Sequence, residues 1–186
     1  MNAPLELEIR IATENDRDAI EQLIFLSARE LSRAYYTDEQ IAAALARVYG
    51  VDSALINDRT YFVAESDGML VGCGGWSKRK TLFGGDQFIN RDSGLLDPRT
   101  DAAKIRAFFV HPNYARRGIA RALLARCEVE AQRDGFKSLE LMSTLPGVEF
   151  YRASGFNASD SIIYDAGGVL LDFVPMKKAL RKAGPR

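Results

Sequence analysis

The chain holds a single histidine, His111, and two cysteines, Cys73 and Cys127. Two thiols in 186 residues exclude a disulfide framework and suggest a reducing compartment. A zinc site built from histidine and cysteine would have at most three such ligands, so no metal is expected. Long apolar runs are missing too. None approaches the roughly 18 residues that span a bilayer, and no membrane partner is expected. The opening MNAPLELEIRIATEND has neither a basic start nor an apolar block, so it does not read as a signal peptide. The expected location is the cytoplasm. An excess of charge of one sign is also lacking: Lys+Arg and Asp+Glu both number 25. A balanced chain argues against a general binder of nucleic acid or of anionic membranes.

What is there fits one domain with a core of its own, residues 1–186 with a folded core over about 6–180. Apolar residues make up 47% and charged residues 27%, as in ordinary globular proteins. LELEIRIA (5–12) alternates like a half-covered strand. Thr13 and Asp16 mark a helix start, followed by a stripe of Ile20, Leu23, Ile24 and Leu31. Thr37 and Gln40 stand in capping-box spacing, and Gly50 suits the end of that second helix. Strands are expected at 59–66 and 69–79, joined by the hairpin signal Asp67-Gly68. Residues 80–103 show no period, and a connection of that length is usually functional, mobile or part of an interface. Further strands are expected at 104–112, 138–144, 159–165 and 169–180, with a helix from Gly118 to Gly135 and a short one near 148–154. The sum is an α/β (α+β) fold. Its sheet of about seven strands is mixed and mostly antiparallel, with a central parallel βαβ unit and flanking helices.

The stretch FVHPNYARRGIARALLARCEVEA (109–131) poses a question. Arg116, Arg117 and Arg121 crowd the start of a helix, where the dipole favours anions. Those cations disfavour an empty helix end but favour one that holds a polyanion. The free backbone N–H groups of the first turn and the dipole form an anion site. Gly118 lets a phosphate approach the backbone, and Ala120 is nearly as small. Three solvated arginines and a tight glycine turn are the plain alternative. The loop is neither a Walker A loop nor a dinucleotide fingerprint.

VHPNYARRGIARALL resembles motif A of the GNAT superfamily of acyl-CoA-dependent N-acetyltransferases, [Gln/Arg]-x-x-Gly-x-[Gly/Ala] between a strand and a helix. Gly118 and Ala120 match its last two fixed positions, while Ala115 departs from the first. VEFYRASGF (148–156) resembles motif B, Tyr-x-x-x-Gly-Phe, and the element order is similar over about 6–180. The resemblance implies acetyl-CoA as cofactor. Its pyrophosphate would lie on the backbone of Arg116, Arg117, Gly118, Ile119, Ala120 and Arg121, and its pantetheine arm along the strand end at Phe108, Phe109 and Val110. It implies direct attack by a primary amine, of a small molecule or a peptide, in a ternary complex. Tyr151 matches the family's general acid. Homodimers are common in the family, and the sequence leaves that open.

The proton chemistry is only half assigned. An alkylamine with a pKa near 10.4 is free base at about one part in a few thousand at pH 7. A base or a desolvating pocket therefore matters. Strand 104–110 carries no carboxylate. Glu65 acting through water, His111, and water alone all remain open, and so does a non-catalytic acyl-CoA-binding module. Ser143 and Thr144, at a strand end, either bond the cofactor or substrate or cap the strand. Tyr35 and Tyr36 either wall the acceptor pocket or pack the surface, and acceptor choice is expected from them and from 80–103. Cys127 and Trp76 read as packing. Cys73, among Gly72, Gly74 and Gly75, marks a place where backbone or ligand comes close.

Overall fold

The computed structural model describes residues 6–180. β1 (Glu8–Ile11) leads into helix α1 (Arg17–Leu31). Thr37 caps α2 (Asp38–Arg47), accepting the Gln40 N–H while the Gln40 side chain accepts the Thr37 N–H. This is the reciprocal box expected from the spacing. A third helix, α3 (Ser53–Asn57), is capped by Asp52 and is too short to show a period in sequence. β2 (Tyr61–Ser66) and β3 (Met69–Ser77) are joined by Asp67-Gly68. Both turn residues have left-handed backbones, φ 51° and 73°, as a two-residue hairpin turn requires.

β4 (Ala103–Val110), α4 (Ile119–Arg133) and β5 (Ser138–Thr144) form the expected crossover. α5 (Val148–Ala153), β6 (Asn157–Ala158), β7 (Ile162–Asp165) and β8 (Leu170–Ala179) follow. The sheet has eight strands in the order β1-β2-β3-β4-β5-β8-β6, with β7 also on β8. Only β4 and β5 pair in parallel. The strand beyond the seven expected is β6, whose two residues leave no readable alternation.

Helices cover both faces. Phe62 and Ala64 of β2 join the cluster under α4, while Tyr61 and Val63 join the one under α1. One stripe differs from expectation. The buried side of α1 runs through Ser27 and Ala28, and Leu31 is 36% exposed. In α4 the buried stripe begins at Ile119, and Ala120 is only half-buried. What comes close beside Cys73 is this helix: a Cβ on Gly72 would lie 2.5 Å from Ile119 Cγ2. The absence of that Cβ lets α4 sit directly on β3, which brings its N-terminus to the end of β4.

Candidate active site

β4 and β5 are in register only at Ala103↔Leu139 and Lys104↔Glu140. Glu140 clasps that end, meeting the buried Lys104 and, at 3.2 Å, Lys177. Beyond it the strands part. At the parting β4 bulges: its register with β3 shifts between Cys73 and Gly75, and Ala107 has φ 55°. The Ala107 carbonyl turns inward, 3.4 Å from the Tyr61 hydroxyl and 3.6 Å from Cys73 Sγ. Past the bulge, Phe109 and Val110 pair with β3 only, so their other edge is open. The Val110 N–H meets Ser27 Oγ at 3.3 Å. Ser27, a hydroxyl inside the α1 stripe, was not singled out in the sequence. The break in an apolar pattern was its only signal.

The parted strands open a cleft of about 1070 Å³ that runs to the start of α4. Gly118 caps that helix with φ 86°, and a Cβ there would meet nothing within 4 Å. The ladder begins with the Ala122 N–H on the Gly118 carbonyl, which leaves the preceding amides without helical partners. The first turn holds no acidic residue. Among the described residues Arg116, Arg117 and Arg121 form no ion pair, and all three are exposed; Arg117 lies over the Tyr114 ring at 5.2 Å. Arg116 has φ 66°, a backbone that favours glycine. Ile119 is buried, so its side chain serves the core and only its amide is at the helix opening.

Tyr151 lines the same cleft from α5. Its ring meets Phe108, Phe150 and Phe156 edge-on, at centroid distances of 6.3, 4.9 and 5.5 Å. Burial first, and nearby Cys127 second, raise its pKa well above that of a free tyrosine. The phenol is therefore neutral through the physiological range and acts as a donor.

The comparisons with known proteins fit this geometry. The profile of the Acetyltransferase (GNAT) family matches residues 19–156. The chain belongs to the GNAT acetyltransferase family. An uncharacterized N-acetyltransferase of Methanocaldococcus jannaschii is 25% identical over 159 residues, which cover 83% of this chain and 62% of that relative's length. A GCN5-related N-acetyltransferase from Rhodopseudomonas palustris superposes with a TM-score of 0.69 at 20% identity, over 97% of this chain and 98% of that one. The PaiA N-acetyltransferase of Thermoplasma acidophilum, solved with coenzyme A, gives 0.65 at 18% identity over 94% and 99%. YncA of Salmonella typhimurium, solved with acetyl-CoA, gives 0.61 at 19% identity over 96% of both chains.

The GNAT fold of this chain separates the other candidates. Glu65 is held by Arg10 at 2.5 Å and does not line the cleft. His111 Nδ1 accepts the Asn113 N–H at 3.2 Å, a structural use. Ser143 is buried, donates to the Thr144 carbonyl at 2.8 Å and lines the cleft together with Thr144. Cys73 is fully buried and its thiol is pushed up to about 12, which leaves no nucleophilic thiolate at neutral pH. Among the described residues no group of three or more metal-ligating side chains gathers, and no helix is long and apolar enough to cross a membrane.

The tyrosine pair divides. Tyr35 lines the cleft mouth, 51% exposed. Tyr36 turns inward: its hydroxyl donates to the Asp172 carbonyl at 2.7 Å and accepts the Leu145 N–H at 2.9 Å. Tyr36 thereby ties the α1–α2 turn to the ends of β5 and β8, while Tyr49 lines the cleft wall. Segment 80–103 reaches the cleft at Leu82, Phe83, Gly84 and Gly85. Two arginines hold it there. Buried Arg106 donates to the Thr81 and Gly84 carbonyls. Arg91 donates to the Gly84 and Gly85 carbonyls at 3.1 and 2.7 Å. Asp52, fully buried, answers both charges: Oδ1 accepts from Arg91 at 2.7 Å, and Oδ2 meets Arg106 at 2.6 Å as an ion pair without hydrogen-bond alignment. No local motif marks this trio, because its members come from three separate segments.

Proposed function

We propose that this chain transfers the acetyl group of acetyl-CoA to a primary amine by direct attack within a ternary complex. One observation carries the proposal: the parting of β4 and β5 opens a single cleft that joins an uncapped, arginine-rimmed helix start to a buried neutral tyrosine. The amides of Arg116, Arg117, Gly118, Ile119, Ala120 and Arg121 hold the pyrophosphate, with the arginine side chains adding charge around it. The free backbone edge at Phe109 and Val110 takes the amide-bearing pantetheine arm as an added strand, and Ser27 Oγ keeps the Val110 N–H bonded until the arm arrives.

The acetyl carbonyl then lies near Tyr151. The amine nitrogen forms a bond to that carbon, the carbon–sulfur bond breaks, and sulfur leaves as thiolate. With its pKa raised, the Tyr151 hydroxyl is a weaker acid than an ordinary thiol at about 8.5. Its part is to hold the departing sulfur by a charge-assisted hydrogen bond. The proton shed by nitrogen balances the one gained by sulfur.

Calorimetry with CoA, ATP and NAD, and thiol release from acetyl-CoA across an amine library, test this reading. CoA alone should bind, and an amine should release thiol. Gly118→Asp should abolish CoA binding, since it sets a carboxylate in the phosphate's space. Unchanged affinity would move the site elsewhere.

A further inference from the structure

On the acetyl-transfer reading, the acceptor half of the cleft is the part lined by α1, residues 48–50 and residues 82–85. Its walls carry Tyr35, Tyr49, Phe83, Phe109 and Phe173. The rings brace one another: Tyr49 meets Phe109 edge-on at 5.8 Å, and Phe83 packs on Phe173 at 5.5 Å. Charge is distributed unevenly along the cleft. Its charged lining residues, among those described, are Arg106, Arg116, Arg117, Arg121 and Glu149. Glu149 is on α5, its side chain 82% exposed and 3.6 Å from Arg152. The acceptor half is thus left with one charged lining residue, and it is a cation, Arg106. Asp52 stands behind Arg106 and is shared with Arg91.

An ammonium entering this half meets three obstacles. No carboxylate replaces its lost water, and burying an unpaired charge is costly. The one charged lining residue is a cation whose partner, Asp52, is shared with Arg91, so no net negative charge faces the amine. No base among the lining residues there takes its proton, and an alkylamine is free base at only about one part in a few thousand at pH 7. Ring faces attract a cation, but they do not deprotonate it. An arylamine escapes all three, because its lone pair is delocalised into the ring and it is neutral at pH 7. Its flat body also suits the aromatic walls.

Resting on the acetyl-transfer reading above, we infer that the acceptor site takes a neutral, weakly basic amine on an aromatic body, and rejects alkylammonium ions. In that reaction the aryl nitrogen bonds the acetyl carbon, the carbon–sulfur bond breaks, and the proton lost by nitrogen appears on the CoA thiol.

Two isomers test the inference: p-toluidine, neutral at pH 7, and benzylamine, protonated at pH 7. Calorimetry on the CoA-saturated protein should show p-toluidine binding at least about tenfold tighter at pH 7. The gap should narrow by pH 9.5, as benzylamine loses its proton. Tyr35→Glu, a change at an exposed position, should improve benzylamine binding about fivefold or more. Benzylamine binding as well as p-toluidine at pH 7, neither amine binding, or no response to Tyr35→Glu would each overturn the assignment. Failure of CoA itself to bind overturns the parent reading and this one with it. Arylamine binding without thiol release from acetyl-CoA leaves the pocket assigned and overturns acetyl transfer.

Discussion

Arg116 is the residue at which backbone and function pull apart. Its φ of 66° costs roughly 1–2 kcal/mol for a residue with a Cβ. Glycine would relieve that strain but adds freedom to the unfolded chain worth roughly 0.5–1 kcal/mol. Arg116→Gly should therefore raise stability by about 1 kcal/mol or less while lowering CoA affinity several-fold. A thermal melt and a CoA titration read the two effects separately, and unchanged affinity would show that the arginine serves nothing at the phosphate. Tyr151 is a cleaner case. A hydrogen bond to a charged partner contributes about 1.5–3 kcal/mol. Tyr151→Phe should thus reduce kcat roughly 10- to 100-fold, with CoA affinity nearly unchanged. Since burial raises its pKa, the hydroxyl keeps its proton past pH 10, so no alkaline loss of activity should trace to it below that pH. Gly118 and Tyr151 are legible as candidates because each stands in a contiguous motif. Ser27, Tyr49 and Asp52 are not. Ser27 and Tyr49 reach the cleft, and Asp52 the buried arginine behind its wall, through tertiary packing; beyond the break that Ser27 makes in an apolar stripe, nothing adjacent in sequence marks them.

Segment 80–103 shows how an element without a period is still fixed in place. Its backbone is gripped by Arg106 from β4 and by its own Arg91, and Asp52 at the α3 cap is the carboxylate that both arginines share. Removing one partner of a buried charge cluster strands the others, at a cost of about 3–5 kcal/mol. Asp52→Asn should therefore shift the urea midpoint strongly downward. Arg91→Met acts more locally. It frees the Gly85 carbonyl in the cleft wall and leaves that of Gly84 with Arg106 alone, and the amine KM should rise several-fold while CoA affinity holds. Equal losses in both would show that the segment supports the whole cleft rather than its acceptor half. The same contrast explains which elements the sequence discloses. The Asp67-Gly68 hairpin, the Thr37 capping box and the β4–α4–β5 crossover rest on local signals within a few residues. The brief α3 and β6 do not complete a period, and the course of 80–103 depends on carbonyls meeting arginines far away in sequence. The parting of β4 and β5 coincides with the bulge at Ala107, which no residue type in the strand discloses.

At the scale of the molecule, the interior protects an unusual number of acidic hydroxyls and thiols from ionising. Cys73 and Cys127 are fully buried with raised pKa values, that of Cys73 going from an ordinary 9.0 to about 12. Tyr36 is pushed up to about 12, and burial also raises Tyr49, Tyr61 and Tyr151 well above the ordinary 10.0. Folding thus keeps these groups protonated where the unfolded chain releases their protons. Raised pKa values give stability that is fully present below the unfolded values, near 9.0 for the thiols and 10.0 for the phenols, and lost as pH climbs through the folded ones. Each group removes roughly 1.4 kcal/mol per pH unit over that window. The unfolded thiols are only half ionised at pH 9, so the two together remove about 2 kcal/mol between pH 9 and 10, and the phenols join above it. Against a net stability of about 5–15 kcal/mol, the fold should give way between roughly pH 10 and 12, with full stability near neutrality. Urea midpoints measured from pH 7 to 11 would trace the decline. In Cys127→Ala the curve should start lower, because a buried sulfur is lost, yet fall less between pH 9 and 10 by roughly 1 kcal/mol. An unchanged slope would mean that the Cys127 thiol meets water in the folded chain, and that α4 does not seal against β3 as the contact of Ile119 on Gly72 requires.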